Sequence, residues 1–155
     1  MRAHAQWRAV PRCPADQRVG GDNNKEACMT EAAMLATLSG RRILVVEDDY
    51  MIAEGIAEML SEAGAEALGP VPTVADAICL VAAEGRVDAA LLDVNLRGER
   101  IWPVVDALLA REVPLVLSTG YDENTIPETY AHLPRCGKPA TGQAIAHALV
   151  RMLAP

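Results

Sequence analysis

The sequence predicts an α/β fold: an open, doubly wound sheet of five parallel strands with helices on both faces. Three observations carry that prediction. From Arg41 onward, five short strand-like segments alternate with segments of helical period. The first and third strands, ILVV at 43–46 and AALL at 89–92, are apolar at every position, as strands covered on both faces tend to be. Carboxylates, a threonine and a lysine stand where the strands end, and open parallel sheets bind ligands at those ends.

Each element has its own local reason. Ile43 to Val46 is short, β-branched and apolar. Ile52, Ile56, Met59, Leu60 and Ala63 then recur at helical spacing, and Gly64 closes that helix. Glu66 to Val71 is a weaker second strand, bounded by Pro70 and Pro72. Thr73 caps a helix carrying Val74, Ala77, Ile78 and Val81, which Gly85 ends. VDAALLDVNL is the third strand with its loop, followed by a helix with Val104, Val105, Leu108 and Leu109 that runs to about Arg111. The fourth strand runs from Pro114 to about Ser118, and a short irregular helix is expected over Glu123 to Ala131. RCGKP is a very short fifth strand, and the last helix carries Ile145, Leu149, Met152 and Leu153.

Composition narrows the function. The chain has 155 residues, is 51% hydrophobic and 23% charged, and carries a net charge of −7. So acidic a chain is a poor match for nucleic acid, whose phosphates demand a basic face. No apolar run approaches the ~18 residues of a membrane span, and the N-terminus lacks a signal peptide's apolar region. The expectation is a soluble, cytoplasmic protein. Residues 1 to 41 hold six basic and four acidic groups, whereas the remainder holds eight and seventeen. With its Arg, Pro, Gly and Asn and no sustained period, the stretch 1–38 is expected to be a mostly disordered extension. Within it, Asn24 to Leu38 could form a marginal helix; the folded domain is expected over 41–153. Cys13, Cys28, Cys79 and Cys136 form no CxxC pair and read as free thiols of a reducing compartment.

The strand ends define the chemistry. The first strand ends in Glu47 and Asp48, the third in Asp93, the fourth in Ser118 and Thr119, the fifth in Lys138. A parallel sheet brings these ends to one edge. An aspartate at the end of a single strand is most often a turn residue or helix cap. Three carboxylates at one edge are another matter, because like charges repel and desolvation is costly. A divalent cation relieves both costs, and Mg²⁺ suits oxygen ligands that leave room for water and a phosphoryl oxygen. Lys138, the only lysine after Lys25, supplies a point charge for a second phosphoryl oxygen, and Thr119 can donate a hydrogen bond to a third. Asp93 is then the natural nucleophile, forming an acyl phosphate.

With ILVVED, ALLDVNL, VLSTG and GKP in that order, each after an apolar strand, the chain resembles the receiver domain of bacterial two-component response regulators. The resemblance covers about Arg41 to Leu153. It implies a flavodoxin-like five-stranded fold, with Asp93 as phospho-acceptor and a histidine kinase or phosphotransfer protein as donor. It implies a Mg²⁺ site of Asp48, Asp93, the Asn95 backbone carbonyl and, through water, Glu47. Thr119 takes the part of the switch hydroxyl and Lys138 of the phosphoryl-contacting lysine, while Asp49 is a loop carboxylate or helix cap.

The chain departs from the family pattern in two places. Arg135 stands where many receivers have a fifth-strand aromatic, and Gly120-Tyr121 follow the threonine. STGY and IWPVVDALLA together resemble a subgroup of mostly single-domain receivers. Tyr121, or ordering of the fourth helix, is then the expected reporter of phosphorylation. No output domain is expected after the last helix, so the output is expected to be contact with a downstream protein or onward phosphotransfer by a monomer or weak dimer, with neither nucleic acid nor membrane as partner. The chain is not expected to be an enzyme beyond assisting its own phosphorylation and dephosphorylation. Two alternatives stand beside this reading: a degenerate receiver that docks without phosphorylation, and a Mg²⁺-dependent aspartyl-phosphate phosphatase. The second usually wants an acid two residues after the nucleophile, where this chain has Asn95.

Overall fold

The computed structural model describes residues 31–120 and 126–154. Its strands are β1 (Arg42–Val46), β2 (Glu66–Val71), β3 (Ala89–Asp93), β4 (Asn95–Leu96), β5 (Glu99–Arg100), β6 (Leu115–Thr119) and β7 (Arg135–Gly137). Its helices are α1 (Glu31–Leu38), α2 (Tyr50–Glu62), α3 (Val74–Ala83), α4 (Trp102–Ala110) and α5 (Gly142–Leu153). Five strands form one parallel sheet in the order β2-β1-β3-β6-β7, the expected doubly wound architecture. The order reverses beside β1, so a crevice opens at the carboxyl ends of β1 and β3.

The alternation of side chains along the apolar strands builds two cores. Leu44, Val46, Ala90, Leu92, Leu115 and Leu117 point to the face covered by α3 and α4. Ile43, Val45, Ala89, Leu91 and Val116 point to the face covered by α1, α2 and α5. A strand with one solvated face would show polar residues at every second position, and these do not. Local capping starts the helices. Asp49 accepts from the Met51 and Ile52 amides (2.9 and 3.2 Å), the cap role expected for it. Thr73 accepts from Asp76 N and Thr141 from Ala144 N, each at 3.1 Å.

One glycine is required by its surroundings. Gly69 lies in β2 with φ +95°, where the register against β1 shifts. A Cβ there would meet Val71 N at 2.8 Å and Val45 O at 3.0 Å. Both are backbone atoms of paired strands and cannot swing aside. Gly69→Ala is therefore expected to destabilise the domain by about 1–3 kcal/mol, from the left-handed backbone and the crowding together. Urea unfolding measures it, and an unchanged midpoint would show that β2 can shift its register.

The structure corrects or sharpens several expectations. Order begins before residue 41, within the stretch Asn24 to Leu38 where a marginal helix was expected. Glu31–Leu38 is a helix whose Met34 and Leu38 are buried (5% and 1% exposed) in the core shared with α5. Two apolar anchors one turn apart outweigh the polar composition upstream, and residues 1–30 lie outside the described residues. Ile52 and Leu109 keep the helical spacing read for them but are 41% and 40% exposed. Ile52 stands in the first turn of α2 and Leu109 in the last turn of α4, where helix ends overhang the sheet. The loop after β3 holds a small antiparallel hairpin, β4–β5, rather than irregular chain. Finally, the helix expected over Glu123 to Ala131 is a single 3₁₀ turn, Glu128–Tyr130, among the described residues; residues 121–125, including Tyr121, lie outside them.

Candidate functional site

The sheet delivers its polar groups to one edge by register. Ile43 pairs with Ala89 and Val46 with Leu92, so Glu47 and Asp93 sit side by side one step beyond. Asp93 pairs with Ser118, and Thr119 with Gly137, which puts Lys138 directly after its neighbouring strand ends. The Lys138 backbone N–H donates to Thr119 O at 2.6 Å and fixes the start of the lysine side chain. Glu47, Asp93, Ser118 and Thr119 are the buried polar side chains among the described residues, at 4%, 6%, 7% and 4% exposed. In a core otherwise apolar, that concentration at one edge marks the site.

The charges interlock. Lys138 Nζ donates to Asp93 Oδ2 at 2.7 Å and to Glu47 Oε2 at 3.1 Å. The other oxygens are held by backbone: Asp49 N–H donates to Glu47 Oε1 and Asn95 N–H to Asp93 Oδ1, both at 3.1 Å. Asn95 in turn uses its side-chain oxygen to accept from Gly98 N at 2.7 Å, which closes the hairpin. Asp48, partly exposed, faces Arg97, whose Nε lies 3.8 Å from its Oδ2. The five residues expected to form the site's charged and metal-binding set, Glu47, Asp48, Asp93, Asn95 and Lys138, thus lie together, with Thr119 at the same edge.

Burial and neighbours perturb two of these groups. Burial pushes the Glu47 carboxyl up to about 7, and the charge of Asp93 adds to it; the Asp49 amide and Lys138 oppose the shift without cancelling it. Burial works against the Lys138 charge, but the hydrogen bonds and charges of Asp93 and Glu47 outweigh it and hold its pKa above the ordinary lysine value. Because Glu47 binds its proton more tightly in the folded chain, the native state carries a proton between about pH 4.5 and 7 that the unfolded chain has lost. Its contribution is therefore full below pH 4.5 and disappears as pH rises through about 7. In chelator-containing buffer, stability is expected to fall from pH 5.5 to pH 8 by about 1–3 kcal/mol. Urea unfolding of Glu47→Gln is expected to lack that part of the pH dependence. Parallel profiles would place the effect elsewhere.

The donor set suits a hard divalent cation. One carboxylate oxygen each from Glu47, Asp48 and Asp93 lies within 4.8 Å of the others. Oxygen-only donors fit Mg²⁺ better than a soft metal. Among the described residues, Cys79 and Cys136 are free thiols, and burial raises the Cys136 thiol above its usual range.

Two features were not anticipated. Trp102 packs at the start of α4 as one half of an aromatic stack. Its ring lies 4.6 Å from that of Tyr130, at 5°. Tyr130 also donates through its hydroxyl to Asp106 Oδ1 at 2.7 Å. The pair fastens the 3₁₀ turn to α4, inside the span where a short irregular helix was expected. Arg135, at the place of the missing aromatic, donates to Ala131 O at 2.6 Å and braces the same turn. Arg97 is the second. The sequence signal for it was Gly98, a turn residue after an apolar strand, although Arg97 itself is not a usual turn former.

Scans against protein-family models and curated proteins give no match. Solved structures do match. SdrG from Sphingomonas melonis Fr1, a solution structure, is 39% identical, with a TM-score of 0.65 over 74% of this chain and 98% of its own. The BeF3-activated conformation of SdrG from Pseudomonas melonis Fr1 is 38% identical, with a TM-score of 0.63 over 75% and 98%. A CheY-like response regulator receiver domain from Methylobacillus flagellatus is 25% identical, with a TM-score of 0.63 over 74% and 99%. A parallel sheet in the order β2-β1-β3-β6-β7, an acidic pocket at its carboxyl edge and a lysine bridging Glu47 and Asp93 agree with that likeness, and the chain belongs to the response regulator receiver domains, modules of phosphorylation-based signalling.

Proposed function

We propose that Asp93 accepts a phosphoryl group from a histidine kinase or phosphotransfer protein, and that the resulting change alters the chain's contact with a downstream protein. The single observation that carries this is the arrangement around Asp93: a buried carboxylate, oriented by one backbone N–H and one ammonium, beside two further carboxylates that can share a cation. Asp48, Asp93 and the Asn95 backbone carbonyl are the direct Mg²⁺ ligands in this reading, with Glu47 acting through water. The bound cation supplies charge neutralisation for the phosphoryl oxygens.

The chain's own residues do the rest. An Asp93 oxygen forms the new O–P bond as the donor's N–P bond breaks; the electron pair stays on the donor nitrogen. Lys138 releases Asp93 and follows the negative charge onto a phosphoryl oxygen. Thr119, at the adjoining strand end, moves to donate to another.

Donor docking has a surface close to the nucleophile. Tyr50, Met51 and Ile52 are 74%, 54% and 41% exposed and form the first turn of α2, just beyond Asp48. Exposed apolar groups beside a charged pocket suit a partner that must seat a phosphorylated side chain there. For output, the 3₁₀ turn held by the Trp102–Tyr130 stack, together with β7 and α5, is the face in line with Thr119 and Lys138.

Amide NMR shifts on adding Mg²⁺ and beryllofluoride test the proposal. Changes at Asp93, Thr119 and Lys138 that need both reagents are the expected result. SdrG has a BeF3-activated conformation, which supports this choice of probe. A folded chain with no response would instead favour docking without phosphorylation, and turnover of a small phosphoester would favour a phosphatase.

A further inference from the structure

Arg97 occupies an expensive position. It and Gly98 connect β4 to β5 with φ +54° and +92°, the two positive values that a two-residue type I′ hairpin requires. Asn or Asp normally precedes the glycine in such a turn, because a short polar side chain tolerates the left-handed region. An arginine gains nothing locally from this conformation. Its side chain is 80% exposed and packs little. What the conformation achieves is direction: the guanidinium leans across the mouth of the pocket to Asp48, with Nε 3.8 Å from Oδ2. Strain kept next to a functional group points to a role for the strained residue.

The charges say what that role is. Lys138 is committed to Glu47 and Asp93. Among the described residues, Arg97 is the cation paired with Asp48, the third carboxylate of the pocket. Asp48 is also the most exposed carboxylate of that set, with 20% side-chain exposure against 3% and 7% for Glu47 and Asp93. A divalent cation approaching from solvent must therefore share or take over the charge that Arg97 is using.

We propose that Arg97 is an electrostatic gate on the divalent-cation site: its guanidinium competes with Mg²⁺ for Asp48 and sets how tightly the pocket binds the metal. Arg97 is a positioning residue in this role, acting through Asp48 rather than on the phosphoryl group. The inference rests on the metal site proposed above. It adds a device that lowers metal affinity while keeping the metal-free pocket from carrying three poorly compensated carboxylates. The competition is between an exposed guanidinium and a hydrated ion, so salt should weaken it.

The test is Mg²⁺ titration of the full chain without phosphoryl analogue, followed by amide shifts of Asp48, Asp93 and Asn95. Arg97→Asn removes the charge and keeps a residue suited to the left-handed turn; Arg97→Lys keeps the charge. Arg97→Asn is expected to tighten Mg²⁺ binding roughly two- to fivefold at low ionic strength, the scale set by an exposed ion pair. The gain should shrink at about 0.3 M salt, and Arg97→Lys should stay closer to the native value. Equal affinities of Arg97→Asn and native protein at low salt would overturn the gate, as would weaker binding by the variant. Asp48→Asn separates the two levels of the argument. If the native chain shows no Mg²⁺ response, or Asp48→Asn keeps it in full, the metal site itself is wrong and the gate falls with it.

Discussion

Asp93→Asn is expected to abolish phosphoryl acceptance, with loss of at least about 100-fold in the rate of labelling, and to remove the amide-shift response to Mg²⁺ and beryllofluoride. The two side chains have nearly the same shape, so the fold should survive. The Asn95 N–H can still donate to the side-chain oxygen that replaces Asp93 Oδ1. What disappears is the charged oxygen that faces Lys138 at 2.7 Å, and with it the proposed nucleophile at the end of β3. An amide neither attacks phosphorus at a useful rate nor gives the cation a charged ligand. The control lies in the same structure: Asp49→Asn changes a carboxylate four residues closer to the chain start than Ala53, but one that is committed to capping α2. It should keep labelling. If Asp93→Asn were still labelled, the acceptor would be Asp48 or Glu47, and the assignment built on strand register would be wrong.

Lys138→Met should have the next largest effect, and its sign should depend on conditions. Removing the ammonium leaves Glu47 and Asp93 buried side by side without their shared counter-charge. Breaking a buried pair by deleting one partner typically costs 3–5 kcal/mol; Lys138 is itself 26% exposed, so about 2–4 kcal/mol is expected in metal-free buffer at pH 8. Two changes should relieve the loss. At pH 5.5 Glu47, with its pKa near 7, is already protonated, and one of the two charges is gone. Mg²⁺ should also restore stability, because a cation bound only by the native state shifts the equilibrium by mass action. Phosphoryl acceptance should stay low in every condition, since the cation does not replace the lysine's contact with the phosphoryl group. Urea unfolding at two pH values, with and without Mg²⁺, measures all of this. The same loss in all four conditions would make Lys138 a packing residue whose charge is incidental.

How far these residues were legible beforehand differs by element. β1, β3 and β6 could be read directly, because strands covered on both faces leave an unbroken apolar run, and a polar group at the end of such a run is conspicuous. Glu47, Asp48 and Asp93 stood out for that reason, and Lys138 as the only lysine after Lys25, at the end of the short fifth strand. β4–β5 was hidden: it has two residues per strand, and Arg97 disguises a turn that Asn or Asp would have announced. Ile52 fits the period of α2, yet period alone does not say where a helix outruns the sheet it covers. Met34 and Leu38 follow a polar stretch rich in Arg, Pro, Gly and Asn, and their burial depends on α5, more than a hundred residues away.

The sequence by itself determined the fold class, the sheet edge that carries the chemistry and the identity of the groups gathered there. Those follow from local rules: apolar runs, helical period, caps, and charges where strands stop. Only the tertiary structure decided who pairs with whom. Lys138 joins Glu47 and Asp93 across 91 and 45 residues of sequence, Trp102 finds Tyr130, and Arg97 leans on Asp48. Strand register and helix packing set those distances, and electrostatic energies turn on a few ångströms that no local pattern encodes.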